Sequence, residues 1–287
     1  MTVRALLSAW DRWWMRQVPP HALAVLRIGF GVFLLYIWGL KIPHVPILFS
    51  TRGLVLPLVA TLPVPGPGLA WAIFFIFYSC LFLFTIGAAM RSAGLLAFVI
   101  NLYYWFLSLH LFNTSFDRLF LFLLLVLALS GADRALSWRA ARRGGIRSWE
   151  SASILPQRLI AVQITAVYLG VGLQKLWLPD WQSGDVLTYS LMSVWGTPLA
   201  IALLRLHLPM AFYDALLFVI KFFEVTIPAG LWIRVTRTWF MLGGLVFHLS
   251  IALLLNIWWF LILVPAYIVF FDPEEIRSSV ERIVRRT

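Results

Sequence analysis

The sequence predicts an all-α, polytopic membrane helix bundle of about eight transmembrane helices, with an N-terminal interfacial helix and a short re-entrant or interfacial helix on the outer face. Three observations predict it. Hydrophobic residues make up 62% of the chain and charged residues 12%, against roughly 25% charged in soluble domains. The apolar residues come in runs close to the ~20 that a helix needs to cross hydrocarbon. The 23 basic residues lie almost wholly between those runs, so the net charge of +11 follows the membrane and gives no reason to expect nucleic acid as a partner.

Residues 1–21 read as an interfacial segment, because Trp10, Trp13 and Trp14 are interleaved with Arg4, Arg12 and Arg16 in a way unlike a cleaved signal. Residues 22–272 then form a single transmembrane domain, and residues 273–287 a basic cytoplasmic tail. Expected spans in the first half are residues 22–40, 69–87, 93–112 and 116–131. The second half offers 159–177 and 211–233, followed by an apolar run over 239–271. That run, about 33 residues long, exceeds one straight span. Asn256 and Pro265 divide it into 239–255 and a shorter 258–271. Residues 199–208, apolar but short and bounded by Pro198 and Pro209, read as the outer interfacial or re-entrant helix.

Threading about eight spans from a cytoplasmic N-terminus places every basic cluster on one side. Arg91, the stretch carrying Arg134, Arg139, Arg142, Arg143 and Arg147, the pair Arg234 and Arg237, and the C-terminal arginines all fall inside. Both termini are then cytoplasmic, and the outward loops over 41–68, 112–117 and 177–209 are rich in proline, glycine and tryptophan. The arginine-rich style points to a bacterial inner membrane. The single cysteine, Cys80, rules out an internal disulfide and a cysteine-based metal site. No phosphate-binding loop, HExxH or nucleophile elbow occurs, and no metal is expected.

Ionisable side chains inside a span are costly, face the bundle interior and mark functional sites. Lys175 closes the apolar run 157–174 at the outer end of the fifth span. It reads equally as a lysine snorkelling to the interface and as a base whose proton burial can drive off. Arg27, one turn into the first span, is either a counter-ion for a carboxylate or anionic ligand, or half of a structural ion pair. Glu224 lies mid-span, four residues before Pro228, and needs a partner that Arg27 or Lys175 can supply. His248, near the middle of the seventh span and one turn after Gly243 and Gly244, can bond across helices, carry protons or hold a quinone oxygen. His110, Asn113, Asp117 and Arg118 make a polar outward corner, where Asp117 and Arg118 also read as a helix cap. The 15 Trp and 23 Phe form interfacial belts, with some left to line a site for a flat apolar ligand. A haem between His110 and His248 is disfavoured by their different expected depths.

Several motifs are spread in order along the chain. They are Leu26-Arg27-Ile28 with Gly31, Phe49-Ser50-Thr51-Arg52-Gly53, and the stretch Ser130-Gly131-Ala132-Asp133-Arg134-Ala135-Leu136-Ser137-Trp138. The most specific is Val167-Tyr168-Leu169-Gly170-Val171-Gly172-Leu173-Gln174-Lys175-Leu176, followed by Trp181 and Gly184, with Glu224 and Phe247-His248 completing the set. In this order and spacing the whole chain resembles the HTTM family, the membrane domain shared with vitamin K-dependent gamma-glutamyl carboxylases. The resemblance implies that Lys175 is the base that deprotonates a vitamin K-type hydroquinone, desolvated by Tyr168, Leu176 and Trp177, with a quinol as the cofactor. Lys175, His248 and Glu224 are therefore the candidate catalytic residues. Arg27, Tyr168, Trp181, His110 and Asp117 are the candidate substrate-binding residues.

Two departures from the carboxylases bear on the activity. Their histidine after an asparagine at the start of the fourth span has no counterpart in Asn113-Thr114-Ser115-Phe116-Asp117, which offers only Asp117, with His110 before it. The chain also stops soon after Phe271, so their large lumenal domain is expected to be missing, and processive protein-glutamate carboxylation with it. Two readings follow. The first is a carboxylase-like, epoxidase-like or quinol-oxidising membrane protein acting on a quinol or similar lipophilic ring, with Lys175 as base on the outer face. The second is a non-enzymatic membrane scaffold or maturation factor for a secreted peptide or a thioredoxin-like partner. A small transporter is disfavoured by the lack of internal repeats.

Overall fold

Hydrocarbon offers backbone N–H and C=O groups no water, so long runs of leucine, phenylalanine and valine must close their hydrogen bonds internally as helices. The computed structural model of the chain, which describes residues 3–108, 111, 115–145 and 147–286, follows that rule. In chain order the helices are α1 (Val3–Met15), α2 (His21–Gly39), α3 (Val45–Phe49), α4 (Pro67–Ile86), α5 (Met90–Leu107), α6 (Ser115–Leu129) and α7 (Trp138–Gly144). They continue with α8 (Leu155–Trp177), α9 (Asp185–Met192), α10 (Pro198–Leu204), α11 (Met210–Trp232), α12 (Arg237–Leu255), α13 (Leu263–Ala266) and α14 (Pro273–Arg286). The β structure among the described residues is one two-residue antiparallel pair, Gln17–Val18 against Ala152–Ser153.

Among the described residues α2, α4, α5, α8, α11 and α12 are the 6 helices long and apolar enough to cross a membrane, and the chain is an all-α integral membrane bundle. A seventh crossing arises if Phe116–Leu129 and Ala132–Gly144, bent by 52° to each other, count as one broken span. Two of the expected spans, 116–131 and 258–271, are interrupted for local reasons. Gly131, at φ 73°, ends the helical run after the 15 residues of α6. Asn256, at φ 52°, ends α12, and the apolar segment beyond it winds as 3-10 turns on either side of the four-residue α13.

The chain divides into two compact units, Met1–Leu159 with Asp272–Thr287, and Ile160–Phe271. In the first, Trp38, Phe49, Phe77 and Tyr104 form a buried aromatic cluster, with Trp38 and Phe77 edge-on at 4.6 Å and Phe49 and Tyr104 at 4.2 Å. Within the basic segment that follows Phe271, α14 packs along α2, and Arg277 reaches the Trp149 ring at 5.6 Å. Arg277 also pairs with Glu274 and Glu281 at 2.8 and 3.1 Å. The helix α1 carries exposed Leu7, Trp10 and Trp13.

In the second unit the outward faces of α11 and α12 expose Phe218, Phe222, Val246 and Leu253, the surface that lipid solvates. The short α9 and α10 pack with Tyr213 and the end of α12 around buried Leu191 and Ala200. Thr197 caps α10 and also donates to the Leu253 carbonyl at 2.6 Å, tying this short helix to the C-terminus of α12. That arrangement holds α9 and α10 against the ends of the second unit's long helices.

Candidate functional site: a buried lysine–carboxylate pair and a tyrosine–histidine network

Spacing along α8 places Ala161, Ile164, Tyr168 and Gly172 on one buried stripe, with Lys175 one turn further on. Opposite it runs α11, and Gly172 is what lets the two backbones meet. A Cβ at Gly172 would stand 3.0 Å from Val225 Cγ2 and 3.1 Å from the Glu224 carbonyl carbon. At that separation Lys175 Nζ donates to both carboxylate oxygens of Glu224, at 2.7 and 2.6 Å. The two side chains are only 12% and 6% exposed. The ring of Trp181, brought back by the turn after α8, lies 4.1 Å from Nζ and covers the ammonium. Lys221 donates to the Trp181 carbonyl at 2.9 Å and fixes that turn.

Glu224 thus takes Lys175 as its partner. Arg27, the other cation considered for it, is fully buried in the first unit and donates to the carbonyls of Ala132 and Leu136 at 3.1 and 2.6 Å. Leu136 stands at φ 47°, a costly conformation for a branched side chain, so this bond helps hold the chain reversal after α6. The paired motifs around Arg27 and Ser130–Trp138 read here as one structural joint. The Lys175 end is not covered by Trp177, which is 82% exposed, nor by Leu176, which is also exposed. Trp181 and Glu224 supply that cover instead.

Tyr168 lies two turns before Lys175 and serves a second group. Its hydroxyl meets His248 Nε2 at 2.5 Å and also hydrogen-bonds to the Tyr267 hydroxyl. Tyr267, missed in the sequence reading, enters because Gly244 has no side chain. A Cβ there would stand 2.5 Å from the Tyr267 hydroxyl oxygen. His248 is 3% exposed, and its Nδ1 is buried with no hydrogen-bond partner among the described residues. Phe247 and Phe260 flank its ring at 5.2 and 6.1 Å. His110 lies outside the described residues, as do Asn113 and Thr114. Asp117 is described, and lines a small cavity in the first unit rather than the Lys175 site.

The glycines of the Lys175 motif make different predictions. Gly172→Val is expected to destabilise the protein by about 1–3 kcal/mol, because the added atoms meet backbone that cannot move aside. Gly170→Ala has nothing within 4 Å and is expected to be neutral or slightly stabilising. Thermal unfolding of both variants in detergent checks this, and equal melting temperatures would refute the close-approach account.

These features define a class: a polytopic helical membrane protein with a buried lysine–glutamate pair at the end of one span and a tyrosine–histidine network within the same unit. The HTTM domain matches the chain over residues 15–274, and the chain belongs to the HTTM domain family, which relates it to the membrane domain of the carboxylases. Neither the curated proteins nor the solved structures gave a match to it.

Proposed function

We propose that the protein deprotonates a quinol or similar hydroxylated lipophilic ring, with Lys175 as the base and Glu224 as the group that takes up the lysine's own proton. The observation that carries this reading is the hydrogen-bonded Lys175–Glu224 pair, shielded by Trp181. Such a pair exists as ammonium and carboxylate or, after a proton shift along the bond, as amine and acid. In the second form Nζ accepts the ring hydroxyl proton, while Trp181 keeps water from doing so. A bound quinol would supply an acidic hydroxyl on an oxidisable ring. Nδ1 of His248, buried without a hydrogen-bond partner among the described residues and set among aromatic rings, is a fitting polar contact for a ring oxygen.

The distribution of arginines supports cytoplasmic termini and an outward-facing Lys175, in a bacterial inner membrane. A second reading has its own support. Both oxygens of Glu224 are occupied by one ammonium, which is also how a purely structural pin would look, in a scaffold or maturation factor for a secreted or thioredoxin-like partner.

The test is oxidation of a vitamin K-type hydroquinone by purified protein in nanodiscs, followed by absorbance and mass spectrometry. Turnover by the wild type that is lost in Lys175→Arg supports the enzyme reading. Absence of turnover in the wild type, with Lys175→Arg folded and equally stable, leaves the pin.

A further inference from the structure

The first unit carries a surface that the quinol reading does not use. Its short helices α1, α7 and α14 are fastened together near the start of α2. The two-residue ladder of Gln17–Val18 with Ala152–Ser153 joins the segments that follow α1 and α7. Arg16 pairs with Asp272 at 3.7 Å and ties the end of α1 to the start of α14. The backbone N–H of Arg139 in α7 donates to the Gly87 carbonyl at 3.4 Å, beside the start of α5 and its Arg91.

Two kinds of side chain are left pointing outward on these elements. The indoles of Trp10, Trp13 and Trp138 are exposed, and Arg158 stacks on the Trp13 ring at 4.6 Å. The guanidinium groups of Arg4, Arg12, Arg91 and Arg142 are exposed as well, and none of them enters an ion pair among the described residues. The carboxylates near them are already bonded: Asp133 to Arg139, Glu150 to Arg143, Asp272 to Arg16, and both Glu274 and Glu281 to Arg277. Asp11 is the one acid on α1, so positive charge is in excess on this surface. Trp138 and Arg142 are one turn apart and share a face of α7. With Arg139, Arg142 and Arg143 in seven residues, α7 is too costly to carry the run of α6 on through hydrocarbon, and its axis turns away by 52°.

We propose that α1, α7 and Arg91 bind the headgroups of anionic phospholipids, with Arg4, Arg12, Arg91 and Arg142 on the phosphate oxygens and the three indoles at the acyl boundary. Arginine presents a planar fork that matches phosphate oxygens, and indole rings settle at headgroup depth. The charge excess selects among lipids. A zwitterionic headgroup carries its own ammonium, which competes with arginine for the phosphate, whereas an anionic phosphodiester has no such competitor. Helices that combine exposed tryptophan with arginine gain from both apolar burial and attraction to anionic lipid.

The test places the protein in phosphatidylcholine nanodiscs with a trace of spin-labelled phosphatidylglycerol or spin-labelled phosphatidylcholine, and reads the motionally restricted fraction by electron paramagnetic resonance. The wild type is expected to prefer phosphatidylglycerol by more than about tenfold, since each arginine held near anionic headgroups contributes about fivefold. Arg12→Gln combined with Arg142→Gln is expected to lower that preference at least about fivefold. Arg52→Gln combined with Arg205→Gln removes the same charge from exposed positions elsewhere and is expected to leave it intact. Equal association of the two lipids with the wild type overturns the proposal, as does an equal loss in the two double variants. Displacement of the lipid by inorganic phosphate overturns it too, because the surface would then be a site for free anions. The wild-type comparison stands without any variant, so a poorly folding one does not blunt it. Lipid preference and quinol turnover are separate readouts, and failure of turnover leaves this result unaffected.

Discussion

Replacing Glu224 with alanine is expected to destabilise the folded protein by about 3–5 kcal/mol, the usual cost of leaving a buried charge without its partner. The carboxylate is 6% exposed and is the only anion bonded to Lys175 among the described contacts. Without it the ammonium keeps the Trp181 ring, worth about 2 kcal/mol when desolvated, and loses two charge-assisted hydrogen bonds. The sign of the rescue is equally specific. Removing both charges, as in Lys175→Met with Glu224→Leu, replaces a desolvated pair by apolar groups of similar volume and is expected to restore most of the loss. Glu224→Gln should fall between, because the amide oxygen still accepts from Nζ. Thermal unfolding of the three variants in one detergent, read as a double-mutant cycle, gives the coupling directly. If the double variant is as unstable as Glu224→Ala, the cost comes from packing at position 224 and the pair contributes nothing.

The candidate site was partly legible in the sequence, for a physical reason. An ionisable group in an apolar run must find a partner, so Lys175, Glu224, Arg27 and His248 stood out by their chemistry alone. Which cation Glu224 takes was not legible. Arg27 is satisfied by the carbonyls of Ala132 and Leu136, and backbone carbonyls leave no mark in a sequence 105 and 109 residues away. Tyr267 was hidden for a related reason, since a tyrosine in an apolar segment looks like belt or core until Gly244 is seen to admit its hydroxyl. Gly170 and Gly172 look alike as letters, yet only the second touches another helix. The breaks within two of the expected spans were not legible, because hydropathy registers composition and not direction. It saw the apolar residues of α6 and of the segment around α13, but not the turns at Gly131 and Asn256 that interrupt them.

Lys175→Arg is expected to leave the fold close to wild-type stability and to lower quinol turnover by about 10²–10⁴-fold, the usual contribution of a positioned base. The contrast depends on what the two cations share and what they do not. Arginine keeps the charge and presents a planar fork that matches the two oxygens Lys175 now bonds, so the pin role survives. It cannot release its proton at any usable pH, so a reaction that needs a neutral amine stops. Alanine at this position would be less informative, because it strands Glu224 in a buried setting and mixes instability with lost chemistry. Glu224→Gln supplies the complementary measurement. It retains a hydrogen-bond acceptor for Nζ but removes the carboxylate that takes the lysine's proton, so turnover should fall while much of the packing remains. Parallel loss in Lys175→Arg and Glu224→Gln, with melting temperatures that do not follow activity, would separate proton transfer from architecture. Full turnover in Lys175→Arg would exclude the lysine as base and make the pair what its geometry also permits, a fastening between α8 and α11.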